Sequence, residues 1–100
     1  MKKKRITKHN IKIRQEYARR ILDGEKTFEV RYNDRDYQRG DILEMRIIDK
    51  DDKPVYLQPD PKLADDYCVM IRKISYIHTG YGMAEGFVIL GLEEAPLDET

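Results

Sequence analysis

Only one stretch of this 100-residue chain repeats its apolar residues at helical spacing. It is QEYARRILD, residues 15–23, in which Tyr17, Ala18, Ile21 and Leu22 form one stripe. Elsewhere apolar residues alternate with polar ones or run together in short blocks. A parallel sheet needs helices over both faces, and one helix cannot supply them. The expected architecture is therefore α+β and mainly β. It is a strongly bent mixed or antiparallel sheet of about five to six strands, closing into a small barrel with the N-terminal helix plugging or flanking it.

Period-two alternation marks the strands. In HNIKI, residues 9–13, Ile11 and Ile13 face one way and Asn10 and Lys12 the other. Gly24 follows the helix and is suited to a left-handed terminating conformation. KTFEVR, residues 26–31, is the second strand, with Phe28 and Val30 on its buried face and Thr27, Glu29 and Arg31 on its polar face. YNDRDYQRGD carries turn chemistry in Asn33, Asp34 and the Gly40-Asp41 pair. ILEMRII, residues 42–48, places Leu43, Met45 and Ile47 together and Glu44 and Arg46 opposite. Residues 49–66 form an acidic loop holding three of the four prolines, with a short extended piece at PVYL. YCVMIRKISYIH, residues 67–78, is a long strand whose alternation breaks near Arg72-Lys73, the signal of a bulge or bend. FVILGL, residues 87–92, is apolar on both faces, as a central strand is. The size fits a single domain over residues 1–100, with a loose basic arm at 1–8 and a loose acidic tail at 93–100.

Formal net charge is zero, but the charges are segregated. Residues 1–31 hold eleven Lys/Arg against four acids; the remainder holds eight against fifteen. Such asymmetry suits a surface that faces a polyanion, and it also suits two parts that neutralise each other on folding. The single cysteine, Cys68, lies in an apolar context and reads as a buried structural thiol in a reducing compartment. No apolar run approaches a membrane span, and no signal-type apolar region follows the basic start, so a cytoplasmic chain is expected. His9 and His78 have no ligand-like spacing to a second His or Cys, and neither a metal nor a cofactor is expected.

The segment that concentrates chemistry is GEKTFEVRYNDRD, residues 24–36. Glu29 and Arg31 are two residues apart on one strand face, so their side chains are neighbours. Lys26 stands just before them, and Asn33, Asp34, Arg35 and Asp36 just after. Arginine is a planar phosphate ligand, and a carboxylate can orient it or accept from a base or ribose. A solvated strand face is the plain alternative. Tyr32, Tyr37 and Tyr81 lie in or beside loops, where they can stack on bases or pack on their own loops. The Thr79-Gly80-Tyr81-Gly82 stretch can bring backbone close to a ligand or simply serve a turn. Arg19 and Arg20 read as a solvated helix face.

GEKTFEVR resembles the Gly-x-Lys-x-x-Glu-x-Arg signature of ASCH domains, through Gly24, Lys26, Glu29 and Arg31. The wider run from His9 to Leu92, with its NDRD–GD segment and later GFVILGL, is similar to a bacterial and phage ASCH-like subfamily labelled RNA-binding-like. The resemblance implies a PUA-like β-barrel with the signature residues lining a cleft beside the helix, and RNA or a nucleotide as ligand. Lys26 and Arg31 would hold phosphate or a carbonyl, Glu29 would accept from a base edge or ribose and position Arg31, and Asn33 and Arg35 would form the rim. Some ASCH relatives are enzymes. One group hydrolyses the amide of acetylated cytidine with a lysine at the Lys26 position and a threonine nucleophile at the Glu29 position; this chain departs there. Others cleave RNA, which would make Lys26 a charge stabiliser and Glu29 a base. The alternative functions are thus a small hydrolase acting on a modified nucleoside or RNA, and an accessory interaction module in which the cluster is structural.

Overall fold

The computed structural model describes residues 6–57 and 68–95. Strand β1 (Lys8–Arg14) runs straight into helix α1 (Gln15–Leu22). Then come β2 (Phe28–Tyr32), β3 (Ile42–Ile48), β4 (Val69–Thr79) and β5 (Phe87–Glu94). The five strands form one sheet in the order β1-β3-β4-β5-β2. β1 pairs with β3 in parallel, and the other three pairings are antiparallel. The mixed sheet curls into a half-barrel. Its two edge strands, β1 and β2, both line the hollows between them.

The core follows the alternation. Ile11 and Ile13 of β1, Leu43, Met45 and Ile47 of β3, Met70 and Ile74 of β4, and Val88 and Leu90 of β5 all point inward and are buried. α1 packs on β1 and β3 through Ala18 and Ile21, which are buried, while Leu22 is half-buried and Tyr17 is exposed. Helix and core therefore share one apolar interior, which supplies most of the stabilisation of so short a helix. Leu57, after the isolated bridge between Ile48 and Pro54, adds a buried side chain to it.

Four expectations are corrected. The β2 face assignment is inverted: Phe28, Val30 and Tyr32 are exposed, Glu29 is buried and Arg31 half-buried. The pairing with β5 decides this. Glu29 and Arg31 lie opposite Leu90 and Val88, whose side chains are fixed in the core, and a period of two leaves no other choice. The irregularity of β4 falls between Ile74 and Tyr76 instead of at Arg72-Lys73. Part of each end expected to be loose belongs to the sheet. Lys8 opens β1, the Thr7 carbonyl accepts from Ile42 N–H, and Glu93 and Glu94 extend β5 opposite Lys73 and Arg72. Cys68 is half-buried and not fully enclosed. The prolines at 59 and 61, with residues 58–66 of the acidic loop, lie outside the described residues, as do 1–5 of the arm and 96–100 of the tail. No described helix is long and apolar enough to cross a membrane.

Candidate binding cleft between the edge strands

The end of α1 positions Lys26. Asp23 N–H donates to the Arg19 carbonyl, and the N–H groups of Glu25 and Lys26 both donate to the Arg20 carbonyl. Gly24, at φ +82°, makes the reversal possible without a side-chain clash. The Lys26 ammonium then reaches forward. It donates to the Phe28 carbonyl at 2.7 Å and to Glu29 Oε1 at 2.5 Å, and sits 5.3 and 5.0 Å from the ring centres of Tyr17 and Phe28. Cation–π attraction holds it between the helix and the edge strand.

The other carboxylate oxygen, Glu29 Oε2, accepts from Arg31 Nε at 3.2 Å. Arg31 Nη2 donates to the Lys12 carbonyl on β1. One guanidinium thus ties the two edges of the sheet together. Two cations share one buried carboxylate, which leaves the cluster with one surplus positive charge. A carboxylate so enclosed is tolerated because both oxygens are paired.

The seam between β1 and β2 is open on both sides of this tie. One hollow, of about 500 Å³, is lined by Lys12, Ile13 and Arg14 of β1, Tyr17 of α1, Lys26, Phe28–Tyr32 and Ile48. A second, of about 330 Å³, is more polar and is lined by Asn10, Ile11, Lys12, Arg31, Tyr32, Asp34, Arg35, Tyr37 and Arg46. Together they present six basic side chains, Lys12, Arg14, Lys26, Arg31, Arg35 and Arg46, against the carboxylates Glu29 and Asp34.

The structure brings Lys26, Glu29 and Arg31 together and places Arg35 at the second hollow. Asn33 lines neither hollow; its Oδ1 accepts the Tyr37 N–H and shapes the loop. Tyr37 is buried and packs edge-on against His9 at 4.9 Å, so it is not available for stacking on a base. Burial pushes its hydroxyl above the usual tyrosine range, an effect opposed by the nearby Arg31 and Arg35. Tyr32 is exposed and packs edge-on with Phe87 at 5.4 Å, and Tyr81 is almost fully exposed. His9 is spent on a buried 2.8 Å contact with Asp41, whose carboxylate also accepts the N–H groups of Thr7 and Gln38. Among the described residues no group of three or more His, Cys, Asp or Glu is placed to hold a metal ion.

Sequence reasoning missed Lys12, Arg14, Tyr17, Phe28 and Arg46 as lining residues. The residue types were readable, but Phe28 and Tyr17 read as core-facing, and nothing in the spacing says that β1 and β2 end as facing edges. Small size, a curled mixed five-stranded sheet and one helix define a small α+β, mainly β class of fold. The chain matches, over residues 8–92, the family described as a domain of unknown function (DUF3850), and it belongs to that family. No curated protein matches the sequence.

Proposed function

We propose that the protein binds RNA or a nucleotide in the aromatic-walled hollow of the seam, as an ASCH-type member of the PUA-like fold. The observation that carries this reading is the surplus cation of the Lys26–Glu29–Arg31 cluster at an open hollow walled by Tyr17 and Phe28. Aromatic rings take a base by stacking, and a partly desolvated cation pair takes a phosphate or a carbonyl oxygen. Glu29, with both oxygens occupied, acts by aiming Arg31 and Lys26; nothing in this arrangement favours it as a proton acceptor. A second reading, a purely structural strap, is favoured by the Arg31 bond to the Lys12 carbonyl.

The test is fluorescence anisotropy of short labelled RNAs with the parent protein, Tyr17→Ala and Arg31→Ala, at low and moderate salt, with melting curves for each. RNA binding is expected to persist at moderate salt and to fall about tenfold in both variants. Tyr17 is exposed, so its loss leaves the fold intact. Affinity unchanged in both variants, with only the melting point of Arg31→Ala lowered, would support the strap and overturn the binding reading.

A further inference from the structure

The polar hollow on the far side of the Arg31 tie is not needed to explain the cleft, and its charge pattern is unusual. On the parallel β1–β3 pair Lys12 and Arg46 are register partners, so two like charges stand side by side on one sheet face. Lys12 is balanced by Asp52, 2.9 Å away. Arg46 is exposed and has no ion pair among the described residues. Arg31 and Arg35 approach from the β2 side, and among the described residues the one carboxylate lining the hollow, Asp34, stands 4.0 Å from Arg35. Four cations gathered at a concave polar surface, Arg46 among them without an ion pair among the described residues, suit a multiply hydrogen-bonding anion.

The two hollows share Lys12, Arg31 and Tyr32, so they are consecutive stations along one groove. We propose that the polar hollow is a phosphate subsite for a single-stranded RNA, gripping the backbone next to the nucleotide whose base enters the aromatic hollow, with Arg46, Arg35 and Lys12 as its phosphate-facing residues. This rests on the RNA reading of the neighbouring cleft and sharpens it: the ligand is a strand, held at two adjacent points, and not a free nucleoside. Arg31 lies between the stations and orders them.

The experiment is an anisotropy titration of a labelled mixed-sequence RNA hexamer over a salt series, alongside the same hexamer with uncharged methylphosphonate linkages. The proteins are the parent, Arg46→Ala, Arg31→Ala and the control Arg39→Ala. Arg46 and Arg39 are both exposed, and Arg39 lines neither hollow. Arg46→Ala is expected to weaken the charged hexamer about five- to tenfold at low salt and to lower the salt slope by about 0.7 to 1. It should bind the uncharged hexamer as the parent does, and Arg39→Ala should match the parent throughout. If Arg31→Ala loses binding while Arg46→Ala behaves like Arg39→Ala, the phosphate subsite is overturned and the cleft reading stands. If the parent binds neither hexamer, both readings fall.

Discussion

Glu29 is buried to 5% exposure although its neighbours in sequence include a phenylalanine and a valine better suited to an interior. Its carboxylate is acceptable there because Lys26 and Arg31 each take one oxygen. Glu29→Gln keeps the shape and removes the charge, so the two cations face each other across an amide. The expected loss of stability is about 1–3 kcal/mol, read from urea denaturation. The same change raises the surplus charge of the cluster, so RNA affinity at low salt should rise and fall more steeply with salt. An enzyme using Glu29 as base would instead lose turnover. Tyr37 yields a pH prediction. Burial raises its folded value above 10.0, so the neutral form is favoured in the folded state. The stability it contributes is full below the unfolded value and is lost as pH rises through the folded one. Tyr37→Phe should therefore flatten the decline in denaturation midpoint above pH 10 relative to the parent. At this scale the site was partly legible. The signature residues were readable from GEKTFEVR, whereas the burial of Glu29 was not, because it depends on Val88 and Leu90 some sixty residues away.

At the scale of elements, α1 matters less for its length than for its end. Its apolar stripe was legible, and so was its stop at Gly24, because glycine tolerates the positive φ that the reversal requires. Gly24→Ala would force a side chain into that conformation at a cost of about 1–2 kcal/mol. No atom crowds a Cβ there, so the penalty is backbone strain alone. Thermal or urea denaturation should show the loss. Because the Lys26 N–H bonds to the helix end, RNA affinity should fall as well if Lys26 is displaced. The strands were legible wherever one residue set stayed in the core, as in Leu43, Met45 and Ile47. At β2 the alternation points the wrong way. An edge strand beside an open seam can place charges inward and aromatics outward, and alternation gives the same pattern for either choice.

At the scale of the whole molecule, the half-barrel is held across its seam by a side chain. Arg31 reaches the Lys12 carbonyl, whereas the sheet order runs from β1 through β3, β4 and β5 to β2. The expected mixed, bent sheet with one helix was legible from the scarcity of helical spacing. Which strands end as edges was not, since that depends on pairings between distant parts of the chain. The order of those pairings has a kinetic consequence. β4 and β5 are joined by a short connection and pair antiparallel, so they can assemble without waiting for the rest of the chain, whereas β3 reaches β4 across residues 49–68. β1 must cross α1 and β2 to find β3, and β2 must wait for β5. Closing such separations costs more than closing the β4–β5 hairpin, so that hairpin is expected to lead folding and the edge strands to dock afterwards. Ile74→Val in β4 should mainly slow refolding, while Ile13→Val in β1 should mainly speed unfolding. Stopped-flow chevrons would separate the two, and equal partitioning at both positions would contradict the order. The strands that line the cleft would then be the last to arrive during folding and the first to loosen, and a strand of RNA laid along the seam would hold in place the part of the protein that is slowest to form.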